Sequence, residues 1–166
     1  LLLLNGRDYK GRALTGRLLN ARLIQGIFDD ENPETRSRWE LPDGQPFDAQ
    51  RNTAAFTGML PKWKACGLQS FTIGLQGGSP EGYSEIQPWI NSAIAKDGSL
   101  KPAYMNRLAQ ILNAANDQEM TPIISIFYYA QVAQIRDEAA VCRAVDDLTD
   151  WLIDHGYTHC LIEVAN

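Results

Sequence analysis

Residues 122–129 read PIISIFYY, an apolar run of isoleucines and aromatic residues with little polar alternation. Strands covered on both faces in a parallel sheet have this composition, because neither face meets water. Three further runs share it: residues 21–28 (ARLIQGIF), 70–75 (SFTIGL) and 159–165 (HCLIEVA). The sequence therefore predicts four strands of one parallel sheet.

Three segments with apolar residues at helical spacing separate the four runs. The first is expected to begin at about Thr53, to contain Pro61 and to end before Gly67. The second begins at Pro102, a residue favoured in the first helical turn, and the third ends at Gly156. Strands and helices alternate, which predicts an α/β fold with the strands in the order 1-2-3-4.

Composition and charge limit the classes of function. The chain has 166 residues, 45% of them hydrophobic, and a net charge of −5. An acidic chain does not favour nucleic acid as a partner, and no apolar stretch approaches the ~20 residues of a membrane span. Three cysteines without CxxC spacing predict neither a metal site nor a disulfide framework, and we expect all three to be buried.

Loop lengths indicate which edge of the sheet is functional. The connections that follow the first two strands, residues 29–52 and 76–101, are long, whereas the helix-to-strand turns at 67–69 and 156–158 are short. Long loops beyond the carboxyl ends of parallel strands form the active-site face of α/β proteins. His155 and His159 belong to the opposite end and are not expected to function.

Carboxylates, amides and aromatic rings follow the strands on the predicted functional face. Aromatic rings stack on the C–H faces of a sugar, and polar groups bond its hydroxyls, so this mixture favours a carbohydrate ligand. For the acidic turn at residues 29–31, binding a polar substrate and capping a short helix remain open alternatives. The candidate substrate-binding residues are Asp29, Asp30, Gln76, Trp89, Tyr128 and Gln131.

Residues 161–166, LIEVAN, resemble the fourth strand of the large glycoside hydrolase clan that includes the cellulase-like family five. The segment from 22–30 (RLIQGIFDD) to 76–80 (QGGSP) is similar to bacterial barrel proteins of the cellulase family. The resemblance makes Glu163 the buried structural glutamate of that strand. It makes Asn166 the supporting catalytic asparagine that precedes the acid/base and contacts the sugar's 2-hydroxyl.

The resemblance implies a (β/α)8 TIM barrel, of which residues 21–166 would be the first four β/α units and residues 1–20 a β-hairpin region capping the barrel. The clan's two catalytic carboxylates come from strands four and seven, so we expect the chain to need a missing C-terminal half-barrel. It implies a retaining glycosidase with a carbohydrate substrate, no cofactor and no metal. A non-catalytic carbohydrate-binding barrel and a TIM-barrel enzyme of another class remain alternatives.

The two-residue period of a strand places Glu163 on the inner face of that barrel. A carboxylate there needs a hydrogen bond or a charged partner, and Arg22 in the first strand is one candidate. We also expect apolar residues on the inner face, namely Ile73, Leu75, Ile124, Ile126 and Leu161.

Overall fold

A computed structural model of the chain describes residues 8–10, 12–13, 18–78 and 86–165. Its strands are β1 (Asp8–Tyr9), β2 (Arg12–Ala13), β3 (Asn20–Arg22), β4 (Ser70–Gly74), β5 (Thr121–Phe127) and β6 (Leu161–Ala165). Its α-helices are α1 (Ala49–Ala65), α2 (Pro102–Asp117), α3 (Tyr129–Val132) and α4 (Glu138–Asp154), and a 3-10 turn covers Arg36–Arg38.

The strands β3 to β6 form one parallel sheet in the order β3-β4-β5-β6. The α/β class and the strand order expected from the sequence are therefore confirmed. β1 and β2 pair antiparallel as a separate hairpin. Asn5-Gly6 and Thr15-Gly16, whose sequence predicts tight turns, lie outside the described residues.

The first strand is shorter than expected: it covers Asn20–Arg22 rather than residues 21–28. A turn follows it, closed by a hydrogen bond from Phe28 N to Gln25 O at 3.1 Å. Within that turn, a Cβ on Gly26 would lie within 3.2 Å of side chains from β4, α1 and α2. The second part of the apolar run therefore leaves the sheet and packs against the helices. Its apolar composition indicates that it is buried, but it does not indicate the length of the strand.

The start of α1 also differs from the expectation. Asp48 is its N-cap and accepts a hydrogen bond from Arg51 N at 2.7 Å. Thr53, the expected cap, is buried inside the helix, where its hydroxyl donates to Gly26 O at 2.7 Å. The end of α1 is as expected, because Gly67 follows it with a φ of +97°.

The other helices agree with the sequence more closely. α2 begins at Pro102, and Gly156 follows α4 with a φ of +70°. The short helix α3 was not predicted, because PIISIFYY reads as one strand, and β5 ends at Phe127. No helix in the described part of the chain is long and apolar enough to cross a membrane.

The expectation that all three cysteines are buried is wrong. Cys66 and Cys142 are exposed, Cys160 is half-buried, and all three are free thiols. Burial raises the pKa of the Cys160 thiol. The apolar character of cysteine therefore did not decide its location at two of the three sites.

One face of the sheet is covered by helices, and the charged residues of the strands lie on the other. Phe71 packs against Phe56 of α1, with ring centroids 5.5 Å apart, so the helices cover that face of β4. Ile73 shares the face and stands beside Ile124 in the register, and both are fully buried. The opposite face, called the inner face below, carries Arg22, Thr72, Gly74, Ser125 and Glu163 by strand alternation and register.

The expected apolar inner face is therefore mostly wrong. Four of its five expected members lie under the helices, and only Leu161 belongs to the inner face; the four are Ile73, Leu75, Ile124 and Ile126. The physical reason is that these four side chains pack in one core with α2 and α4.

Both edges of the sheet expose apolar surface. On β6, Leu161, Ile162 and Val164 are 45%, 47% and 58% exposed, so neither face of that strand is covered. Along β3 a cleft of about 540 Å³ opens between the strand and α1, lined largely by apolar side chains that include Leu23, Phe56 and Trp63. Strand edges and apolar surfaces of this kind are normally covered by further structure.

Candidate functional site

Asp30 organises the loop that follows β3. Its side chain is 0% exposed. One carboxylate oxygen accepts from the Thr35 hydroxyl and the Trp39 indole N–H, and the other from the backbone N–H groups of Asn32 and Ile90. All four bonds are 2.6–3.0 Å long. Asp30 therefore uses its acceptor capacity inside the loop, and its expected substrate-binding role stays a prediction.

Trp89 belongs to a second, smaller core. Its ring centroid lies 5.8 Å from that of Trp39, which in turn contacts Phe28 edge to face at 5.6 Å. All three side chains are buried, and Phe47 packs against them. Trp89 packs the two long loops together with its ring buried, and its expected substrate-binding role stays a prediction.

Gln76 and Gln131 also connect loops. Gln76 is buried, donates to the Ser92 hydroxyl at 3.0 Å and accepts from the backbone N–H of Tyr128 at 3.3 Å. Gln131 is fully buried and donates to the backbone carbonyl of Trp89 at 3.1 Å. Both amides thus hold the ends of β4 and β5 to the loops, and the expectation that they bind substrate stays a prediction.

Asp29 is half-buried between two arginines. Its carboxylate oxygens lie 3.7 Å from Arg36 and 3.8 Å from Arg107, and the hydroxyl of Tyr104 donates to its backbone carbonyl at 3.0 Å. The Arg107 guanidinium lies 4.5 Å from the centre of the Tyr104 ring. Burial raises the pKa of Tyr104, so its hydroxyl stays protonated as a donor. Asp29 thus anchors the first loop to α2.

Tyr128 lies at the carboxyl end of β5 and lines the cleft beside β3. The backbone at Gly77, which has a φ of +79°, lies so close to the Tyr128 ring that a Cβ on residue 77 would collide with it. The ring of Tyr129 follows at 5.2 Å and is exposed. This tyrosine pair therefore borders open space, Tyr128 at the cleft and Tyr129 at the surface.

Arg22 and Glu163 meet over the inner face. Arg22 Nη2 lies 3.9 Å from Glu163 Oε2, so the partner considered for this carboxylate is the one found. The Glu163 side chain is 33% exposed in this chain, and its expected role as the buried glutamate of a complete barrel stays a prediction. Its Oε2 atom is shielded from solvent and has no hydrogen-bond partner among the described residues.

The histidines lie away from these groups, as expected. His155 Nδ1 donates to the Trp151 carbonyl at 2.8 Å, and His159 Nε2 donates to the Leu112 carbonyl at 3.0 Å. Both rings are tied to helix backbone at the amino end of β6. Asn166 lies outside the described residues, so its expected role stays a prediction.

Sequence reasoning missed two residues that hold the site together. Asn91 is buried; its side chain accepts from Asp29 N and donates to Gly77 O. Arg107 is buried on α2 beside Tyr104 and Leu108. A lone arginine on an otherwise apolar helical stripe was the signal for Arg107, whereas Asn91 stands in a loop without any pattern.

No metal site is formed in the part of the chain that the structure describes. No group of three or more His, Cys, Asp or Glu side chains there is arranged to hold an ion. Among the described residues, the ion pair on the inner face joins the Glu163 carboxylate to the Arg22 guanidinium.

No protein-family model matches this chain, and no curated protein matches it. Among solved structures, gamma-CGTase from alkalophilic Bacillus clarkii is similar over 66% of this chain and 18% of its own, with 14% identity and a TM-score of 0.36. The match thus spans less than a fifth of that protein. Similarity at this level establishes neither a common fold nor a common activity.

Proposed function

We propose that this chain is the amino-terminal half of a (β/α)8 barrel and that the complete barrel is a retaining glycoside hydrolase. The observation that carries the barrel is the contact of Arg22 with Glu163 across the inner face. The proposal for the activity rests on the resemblance of residues 161–166 to the fourth strand of the cellulase-like clan, together with the position of Glu163.

The contact supports a curved sheet. β3 and β6 are its opposite edges, three strand spacings apart, which is about 14 Å in a flat sheet. Side chains on a flat sheet stand perpendicular to it and stay apart at that distance. Curvature toward the inner face brings the two side chains together, and closure into a barrel continues the same curvature.

The exposed edges support the same proposal. β6 leaves apolar side chains open on both faces, and the cleft beside β3 is lined by apolar residues of the strand and of α1. A second half-barrel with its own strands and helices would pair with both edges and bury these side chains. The partner we propose is therefore the C-terminal half of the same barrel.

The position of Glu163 supports the proposed activity. Leu161, Glu163 and Ala165 alternate onto the inner face, so position 167 is the next on that face at the carboxyl end of β6. The resembling clan has its acid/base at that position. A second carboxylate about 5–5.5 Å from it, from the other half of the barrel, would complete a retaining pair.

Trapping the covalent intermediate tests this function. The full-length protein is incubated with 2-deoxy-2-fluoro aryl glycosides of glucose, mannose and xylose, and its intact mass is measured. A retaining hydrolase forms a glycosyl-enzyme ester whose mass exceeds the free protein by one fluorosugar. Unchanged mass, together with no release of the aryl group from the matching non-fluorinated glycosides, contradicts the proposal.

A further inference from the structure

Tyr129 is an exposed aromatic residue on the loop face. Its side chain is 51% exposed, whereas the aromatic residues of the second core, Phe28, Trp39 and Trp89, are buried. The other large apolar side chains that are exposed in the described part of the chain are aliphatic. An aromatic ring left open in this way offers apolar area that a ligand can bury.

Tyr129 does not belong to an uncovered edge or face of the sheet. β5 lies between β4 and β6, and Tyr129 is two residues beyond Phe127, the last residue of that strand. The tyrosine therefore lies at the rim formed by the loops that follow the strands. In a closed (β/α)8 barrel this rim stays open, because the loops at the carboxyl ends of the strands form the active site.

The base on which the Tyr129 ring stands is held by buried groups. Tyr128 N donates to the buried Gln76 side chain at 3.3 Å, and Tyr128 O accepts from Gln131 N at 2.9 Å. The Tyr128 ring packs on Gly77, and the Tyr129 ring lies 5.2 Å from it at an angle of 46°. Because the exposed ring is supported in this way, a ligand that binds against it loses less free energy to the ordering of the protein.

The strand register places Tyr129 beside the proposed acid/base position. Phe127 on β5 pairs with Ala165 on β6, and the backbones of neighbouring strands are about 4.8 Å apart. Tyr129 follows Phe127 by two residues, as position 167 follows Ala165. A sugar that lies against the Tyr129 ring is therefore next to the proposed acid/base.

From this placement we infer that Tyr129 is a stacking residue for a sugar ring at the proposed active site. The inference rests on the proposed function and adds the residue that holds the sugar beside the acid/base. The aromatic ring contacts the C–H face of a pyranose, so binding does not depend on the phenol hydroxyl. Tyr129 binds the sugar and transfers no proton.

Calorimetric titration of the full-length protein tests the stacking residue. The probes are thio-linked analogues of cellotetraose, mannotetraose and xylotetraose, in which sulfur replaces the linking oxygens and prevents hydrolysis. Each probe is titrated into the wild type and into Tyr129→Ala and Tyr129→Phe variants. Loss of the ring should weaken binding of the preferred probe about tenfold in Tyr129→Ala, whereas Tyr129→Phe should stay within about twofold of the wild type.

Ile153 supplies a matched control. It is another exposed large apolar residue, with 69% of its side chain open, and it lies near the end of α4, away from the loop face. Ile153→Ala should leave binding unchanged. Thermal melting of all variants identifies any that fails to fold. Tyr129→Leu, which keeps an apolar side chain without the flat ring, is the second variant at that position and should also weaken binding.

The outcomes separate the two proposals. If none of the three probes binds the wild type, the proposed carbohydrate function is overturned. If one binds and the folded Tyr129→Ala and Tyr129→Leu variants bind it as tightly as the wild type does, the stacking residue alone is overturned. Equal weakening in Tyr129→Phe assigns the contact to the hydroxyl and also overturns the stacking. Weakening in Tyr129→Ala, with binding retained in Tyr129→Phe and Ile153→Ala, supports it.

Discussion

Arg22 Nη2 and Glu163 Oε2 lie 3.9 Å apart, although their strands form opposite edges of the sheet. The contact joins residues 141 positions apart in the chain, so it depends on the packing of every strand between them. The contact therefore constrains the curvature of the sheet more than a contact between neighbouring strands does.

The ion pair itself is expected to contribute little to stability. Both side chains are exposed by a third or more, and pairs of this kind contribute about 0–1 kcal/mol. A double-mutant cycle with Arg22→Gln and Glu163→Gln, measured by urea unfolding, should give a coupling energy below about 1 kcal/mol. A coupling energy several times larger would show that the pair contributes substantially to the stability of the fold.

Asp30 should behave in the opposite way. Asp30→Ala leaves two backbone N–H groups, the Thr35 hydroxyl and the Trp39 indole N–H without their acceptor. Unpaired buried donors and a lost buried carboxylate cost about 3–5 kcal/mol of unfolding free energy. Asp43→Ala on the exposed surface is the control and should change it by less than about 1 kcal/mol. Equal losses in the two variants would refute the structural role.

Gly77 and Gly44 provide a matched test of the close packing on Tyr128. Both have a positive φ, +79° and +75°, so replacement by Ala brings similar backbone strain of about 1 kcal/mol. A Cβ on Gly44 meets nothing within 4 Å, whereas one on Gly77 collides with the Tyr128 ring. Gly77→Ala should therefore lower the free energy of unfolding by about 1–3 kcal/mol more than Gly44→Ala. Similar values for the two would mean that the ring moves away freely.

Asp137 should make the stability of α4 depend on pH. Its hydrogen bond with Arg136, and a second one from Ala140 N at the helix N-terminus, lower the pKa of its carboxyl. A lowered pKa gives stability above the unfolded value of about 3.9, and that stability is lost as the pH falls through the folded value. The melting temperature of Asp137→Asn, which keeps a capping side chain, should fall less than that of the wild type between pH 5 and 2.5. Parallel pH profiles would contradict this.

The two central strands β4 and β5 were predictable because both are buried, and buried strands have a characteristic apolar composition. Residues 70–75 and 122–129 are apolar on both alternating sets of positions, which identifies them as covered strands. This apolar character on both sets of positions also made it difficult to tell from the sequence which face of each strand lies under the helices. With isoleucine on both sets in β5, alternation alone does not say which set faces the helices, and Ile73 and Ile124 were assigned to the wrong face.

The candidate site was predictable as a place and less so as a set of contacts. Loop lengths predict a functional edge, but they do not predict that Asp30, Gln76, Trp89 and Gln131 are fixed by partners up to 60 positions away in the chain. A polar residue that follows a strand can face a ligand or hold its own loop. Its neighbours in sequence do not distinguish the two, because the distinction depends on which loop packs above it.

The central claim is that this chain is half of a barrel, and its mass in solution tests that most directly. Two strand edges and the exposed Leu161, Ile162 and Val164 favour association of the 166-residue chain with itself. Light scattering of residues 1–166 should therefore report dimers or larger assemblies. In the full-length protein, the proposed second half-barrel covers these edges, so self-association is not needed to bury them. A monomer of 18.5 kDa that unfolds cooperatively would contradict the account.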